Sequence, residues 1–129
     1  MPPKIVVPTK NVYPAKEYSQ AIRVGPLLVT AGIVAHDTEG HIVGKGDIAA
    51  QVEQVFQNLG AVLTSAGLGF EYVVKITIFT TNVLFRPRIM EARRKYFPVD
   101  PPVSTFFVVS SLSTADQLVE IEAMAAVRE

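Results

Sequence analysis

The chain is expected to fold as one α+β domain over residues 1–129, a mixed β-sheet carrying two helices on one face. Three observations predict this class. Apolar residues recur at three- and four-residue spacing from Ile48 to Ala66, the mark of an amphipathic helix, and a second helix is bracketed by Pro87 and Pro98. The other apolar segments are short, rich in β-branched residues and bounded by glycine, proline or polar turns. Finally, 129 residues of which 49% are hydrophobic supply one core, with no linker, repeat or low-complexity stretch to divide it.

Ile5 to Val7 reads as a short opening strand. Ala21-Ile22-Arg23-Val24 meets Leu27-Leu28-Val29-Thr30 across Gly25-Pro26, a pair of turn residues that predicts an antiparallel hairpin. From Ile48 to Ala66 the residues Val52, Val55, Phe56, Leu59, Val62 and Leu63 form one stripe, with Asp47 placed to cap the start of the helix and Gly67 its end. Val73 to Thr80 is a strand with Val74, Ile76 and Ile78 on one face, so strand, helix and parallel strand succeed one another. A second helix takes Pro87 in its first turn and runs to about Phe97, with Ile89 and Met90 inward and Arg93, Arg94 and Lys95 solvated. Pro98 stops it. Ser104 to Ser111 and Leu118 to Val127 are the last strands, the latter alternating Val119, Ile121, Ala123 and Ala125 with Glu120, Glu122 and Met124. The predicted order is β-β-β-α-β-α-β-β.

Two helices cover one face of such a sheet, yet several strands are apolar on both, as in Phe106 and Val108 against Phe107 and Val109. A lone chain would leave the second face in water, so self-association follows from the pattern. Twelve basic residues balance twelve acidic ones, which gives no long-range attraction to nucleic acid or anionic lipid. The absence of cysteine removes disulfides, thiolate nucleophiles and cysteine-held metals. The apolar run Ile5-Val6-Val7 is too short for a signal-peptide core or a membrane span, so a cytoplasmic protein is expected.

Tyr18-Ser19-Gln20-Ala21, Ala31-Gly32, Gln57-Asn58-Leu59, Ala66-Gly67, Val74-Lys75-Ile76-Thr77-Ile78-Phe79 and Val119-Glu120-Ile121-Glu122-Ala123-Met124-Ala125 occur in this order along nearly the whole chain. In this respect the sequence resembles the Rid (YjgF-like) family of imine deaminases. The resemblance implies a chorismate-mutase-like fold, a homotrimer, small-molecule pockets between subunits and no cofactor. It also implies site residues: Tyr18 lining the pocket, Gly32 admitting the ligand to the backbone, and Glu120 holding the attacking water. Two departures matter. The family's carboxylate-binding arginine falls on Val103 or Ser104, depending on register, so the clamp for a simple 2-imino acid is missing. Ile33 stands where the family often has glutamine and is expected to make the pocket wall more apolar.

Each candidate has a plainer alternative. Glu120 is a general base or water holder, or else a carboxylate paired across an interface. Tyr18 binds ligand or packs at a strand start. Ser104 and Thr105 offer hydroxyl and backbone contacts or are ordinary strand residues. His36 and His41, flanking Asp37 and Glu39, match no metal-site spacing and read as solvated loop residues, so no metal is expected. Asn58 reads as a buried hydrogen-bonding residue. Arg86, Arg88, Arg93 and Arg94, interleaved with Glu91, read as a solvated face. The expected function is a hydrolytic deaminase of an imine, enamine or carbonyl metabolite other than the standard 2-imino acids. The alternatives are an RNA-binding protein of the endoribonuclease or translation-inhibitor kind and a non-catalytic metabolite-binding module.

Overall fold

The computed structural model describes residues 3–127. Strands β1 (Lys4–Val6), β2 (Ala21–Val24) and β3 (Leu27–Thr30) precede helix α1 (Ile48–Ser65). They are followed by β4 (Val73–Thr80), α2 (Arg86–Tyr96), β5 (Val103–Val108) and β6 (Val119–Ala126), the expected order. Short 3-10 turns at Phe70–Tyr72 and Val83–Phe85, absent from the sequence reading, lead into β4 and α2.

The strands form one six-stranded sheet in the order β1-β2-β3-β6-β4-β5, with every pairing antiparallel except β4 with β5. The strand, helix and parallel strand expected around α1 are therefore split. β3 and β4 run the same way, but β6 lies between them and pairs antiparallel with both. This insertion puts the last strand at the centre, where Val119, Ile121, Ala123 and Ala125 are buried against the helices and Glu120, Glu122 and Met124 face the other way. β5 ends at Val108 and not at Ser111. Its partner β4 stops at Thr80, and the last ladder bond is that of the Val109 N–H with the Thr80 carbonyl, at 2.8 Å.

Both caps of α1 form as read. Asp47 accepts a hydrogen bond from the Ala50 N–H at 3.2 Å, and Gly67, with φ of 75°, lets its own N–H and that of Leu68 reach the Thr64 and Leu63 carbonyls. α1 packs on α2 through Phe56, which stacks on Tyr96 with ring centroids 4.7 Å apart. Glu53 links the helices by accepting from both Tyr96 Oη and Lys95 Nζ. The Lys95 and Tyr96 contacts hold the Glu53 carboxyl below its usual range, and burial, with the bond to Glu53 adding to it, pushes the Tyr96 phenol up.

One strand face differs from the reading. The register between β4 and β6 slips between Val73 and Lys75, which takes Val74 off the Ile76–Ile78 face and leaves it 47% exposed, while Val73 takes the buried place. The expected second apolar face is present. On the side away from the helices lie Val29, Met124, Lys75 and Val103 in one row and Phe79 and Phe107 in another. The two rings stack at 5.8 Å, with Phe107 49% exposed.

Candidate functional site

The strand alternation that builds the core also creates an opening where β3 meets β6. Val29 pairs with Met124 and, further along, Ile33 bridges to Ile121. Four steps on one strand thus match three on the other, and the extra residue makes a bulge. Within it the Thr30 hydroxyl replaces a backbone partner: Oγ1 accepts from the Ala123 N–H at 3.0 Å and donates to the Ala31 carbonyl at 2.8 Å. Past the bulge, the Ile33 N–H donates to the Ile121 carbonyl at 2.8 Å and the Ile121 N–H returns the bond at 3.0 Å.

This geometry lays Gly32 against the side chain of Glu120. A Cβ at position 32 would stand 2.6 Å from both Cδ and Oε2 of Glu120, so the carboxylate rests where any other residue would put its side chain. Burial raises the Glu120 pKa above its usual range, and the neighbouring charge of Glu122 raises it further. Next to it lies a cavity of about 220 Å³, with exposed Pro14, Lys16 and Tyr18 at its rim and buried Ile33, Asn58 and Gln117 at its floor. Tyr13, Gln20, Val34, His36 and Ser113 complete its walls together with Val12 and Gly32.

Tyr18, Gly32, Ile33 and Glu120, four residues singled out from the sequence, thus border one cavity. Ile33 is 2% exposed and belongs to the core cluster, so the more apolar wall expected there is part of the protein's interior with little surface open to a ligand. Ser104 and Thr105 are not brought to this cavity. They lie on β5, where Ser104 Oγ accepts from Arg93 Nη1 at 3.0 Å on the helix side and Thr105, one residue on, faces the open side.

Sequence reasoning missed most of the polar wall. His36, read as a solvated loop residue, is partly buried beside the cavity, edge-on to Tyr13 with ring centroids 5.7 Å apart. Burial lowers its pKa, against the opposing charge of Asp37. His41 does stay in the loop, with Nδ1 3.5 Å from Asp37 and 3.7 Å from Glu39. Asn58 is the buried hydrogen-bonding residue expected. Its Nδ2 donates to the Val34 and His36 carbonyls at 2.9 and 2.8 Å, and its Oδ1 accepts from Gln54 at 2.8 Å. Gln51 plays a comparable part that helical periodicity conceals. Fully buried, it donates to the Gly44 and Asp116 carbonyls and accepts from the Leu118 N–H, tying α1 to the segment that enters β6. Among the described residues there is no group of three or more side chains suited to hold a metal. Nor, among these residues, is any helix long and apolar enough to cross a membrane.

A family model described as endoribonuclease L-PSP matches residues 8–127. The chain belongs to the Rid (YjgF-like) family. It is 34% identical to a RutC family protein of Pyrococcus abyssi, over 97% of this chain and 98% of the relative. It is 30% identical to the 2-iminobutanoate/2-iminopropanoate deaminase of Mus musculus, over 95% and 90% of the two chains. A solved structure of a conserved Rid-family protein of unknown function from Yersinia pestis superposes with a TM-score of 0.92 at 36% identity, covering 97% of this chain and all of the other. The fold is therefore the one the resemblance implied, a mixed sheet with two helices on one face. Relatives of this Rid-family chain are named for deaminase activity, which agrees at the level of class with the function expected from the sequence.

Proposed function

We propose that this Rid-family chain is a hydrolytic deaminase of a small imine or enamine metabolite, acting in the Glu120 cavity, and that it works as a homotrimer. The observation that carries the reading is the Glu120 carboxylate, lodged against the backbone of Gly32 beside a small polar cavity and held above its ordinary pKa. A carboxylate raised in this way is a stronger base than an ordinary one and so better suited to take a proton from water. Ionised Glu120 takes a proton from water as the oxygen bonds to the C=N carbon, and the proton passes to nitrogen. The hydroxyl proton of the resulting carbinolamine then passes by way of Glu120 to the nitrogen as the C–N bond breaks, which releases ammonia and leaves a carbonyl compound. An enamine enters the same path after protonation at carbon gives the imine. Tyr18 at the rim shapes access to the cavity.

The trimer is supported by the face opposite the helices, where Val29, Val103 and Phe107 stand exposed and β5 has an unpaired edge. Thr105 lies on that same face with Val103, while Ser104 stays engaged with Arg93 on the helix side. With Val103 or Ser104, depending on register, where the family's arginine falls, turnover of simple 2-imino acids should be weak. The small-molecule reading is favoured over RNA binding because Arg88 pairs with Glu91, Arg93 bonds to Ser104 and Arg86 lies over Phe106, which breaks up the basic cluster.

The test is release of ammonia from a panel of imines generated in situ, with wild-type chain and Glu120→Gln. Acceleration of at least one imine over the buffer rate, lost in the variant, is the expected result. If every imine decays at the buffer rate with the wild-type chain present, the deaminase reading is wrong.

A further inference from the structure

The Glu120 cavity has a charged group of its own that no reading of the strands supplies. Lys16 lies at its rim. Among the described residues it forms no ion pair, whereas Lys45, Arg88 and Lys95 each engage a carboxylate. It is held in place all the same. Nζ lies 5.6 Å from the centroid of the Tyr13 ring, itself a wall of the cavity, which attracts the ammonium through its π face. The following residue, Glu17, has a φ of 68°, a left-handed conformation that a glutamate adopts at a cost of about 1 kcal/mol or more. That turn lets Lys16 and Tyr18, two residues apart, border one opening.

We infer that Lys16 anchors the ligand's anionic end: the cavity takes a carboxylate-bearing carbonyl or imine compound whose charge lies at the rim and whose electrophilic carbon lies inward at Glu120. The inference rests on the proposed reading of this cavity as the ligand site. A single ammonium acts as a point charge and not as a planar fork, so it recognises charge with little demand on orientation. It also offsets the repulsion between an incoming anion and Glu120, whose carboxyl is the cavity's acidic group. A cation at the rim, away from the β5 positions 103 and 104, selects acids whose carboxylate is several bonds from the reacting carbon, a different class from the 2-imino acids.

The test uses the full chain and measures binding of 4-oxopentanoate and of its neutral amide by calorimetry, with Lys16→Met and Lys16→Arg beside the wild type. The wild type should bind the acid about tenfold more tightly than the amide. Lys16→Met should remove that preference by weakening the acid alone, and Lys16→Arg should keep most of it, as expected of one charge contact worth a factor of ten. Lys16 is exposed, so its variants should melt with the wild type. Equal binding of acid and amide by the wild type, no binding of either, or a preference that survives Lys16→Met would each overturn the inference. The two readings fail separately. A Lys16-dependent preference without turnover of any imine sinks the deaminase and keeps the anchor, whereas Glu120-dependent turnover with an unchanged preference in Lys16→Met does the reverse.

Discussion

Gly32→Ala isolates the contact on which the proposed chemistry rests. The new methyl would lie 2.6 Å from Cδ and Oε2 of Glu120, against roughly 3.5 Å for an ordinary carbon contact. The strand backbone at this point is fixed by the reciprocal bonds between Ile33 and Ile121, so the flexible end of Glu120 is what must yield, by about 1 Å. Misplacement of a catalytic group by that distance costs on the order of 10²-fold in rate. Little stability should be lost: position 32 has no left-handed φ, and alanine narrows the unfolded ensemble by about 0.4–1 kcal/mol, which offsets part of the steric cost. The assay is ammonia release from the best imine of the panel, with thermal unfolding measured in parallel. Gly32→Ala should lose about 10²-fold in kcat/KM with a melting temperature within a few degrees of wild type. Combined with Glu120→Gln it should lose no more than Glu120→Gln alone, because both changes remove one function. Full activity in Gly32→Ala, or losses that multiply in the double variant, would refute the assignment of Glu120 and Gly32 to one unit.

Three further outcomes follow from named contacts. Burial raises the Glu120 pKa above its ordinary 4.5, so between that value and the folded-state pKa the native chain binds more protons than the unfolded one. Wild-type stability should therefore fall as pH rises through this window relative to Glu120→Gln, and parallel denaturation curves from pH 4 to 8 would contradict it. Asn58→Ala strips two carbonyls, those of Val34 and His36, of their donor; at a cost of about 2 kcal/mol it should lower the melting temperature by roughly 6–10 °C, and an unshifted melt would show that water replaces the amide at once. Phe107→Asp places a charge on the exposed apolar face, so light scattering should find a single chain for the variant and the proposed trimer for the wild type, and an intact trimer in the variant would mean that assembly uses another surface.

Periodicity carried most of the architecture because the residues that form elements here also fill them. The α1 stripe, its Asp47 and Gly67 caps and the alternation of β6 all reappear at the residues named. Where the reading failed, the cause was a contact between segments far apart in sequence. No local pattern shows that β6 inserts between β3 and β4, or that β4 slips register at Val74. The lining of the candidate cavity was legible in part: Tyr18, Gly32 and Glu120 came from motif resemblance, whereas Lys16, His36 and Gln117 reach the cavity only once the 12–18, 34–36 and 113–118 segments fold together. Gln51 looks like a polar interruption of an apolar stripe, and only its three bonds explain its burial.

The bulge between β3 and β6 sets the phase of everything downstream. Were residues 29–33 to run past β6 as a regular ladder without the bulge, the alternation that now sends Ile33 into the core and leaves Gly32 beside Glu120 would be inverted. A branched aliphatic chain would then cover the carboxylate, and a glycine would leave a void in the core opposite Ile121. Core integrity and site access are thereby bound to one irregularity of the backbone, so a change that straightened the ladder around residues 30–32 would damage both at once, whereas substitutions in the same segment can be borne separately by one or the other.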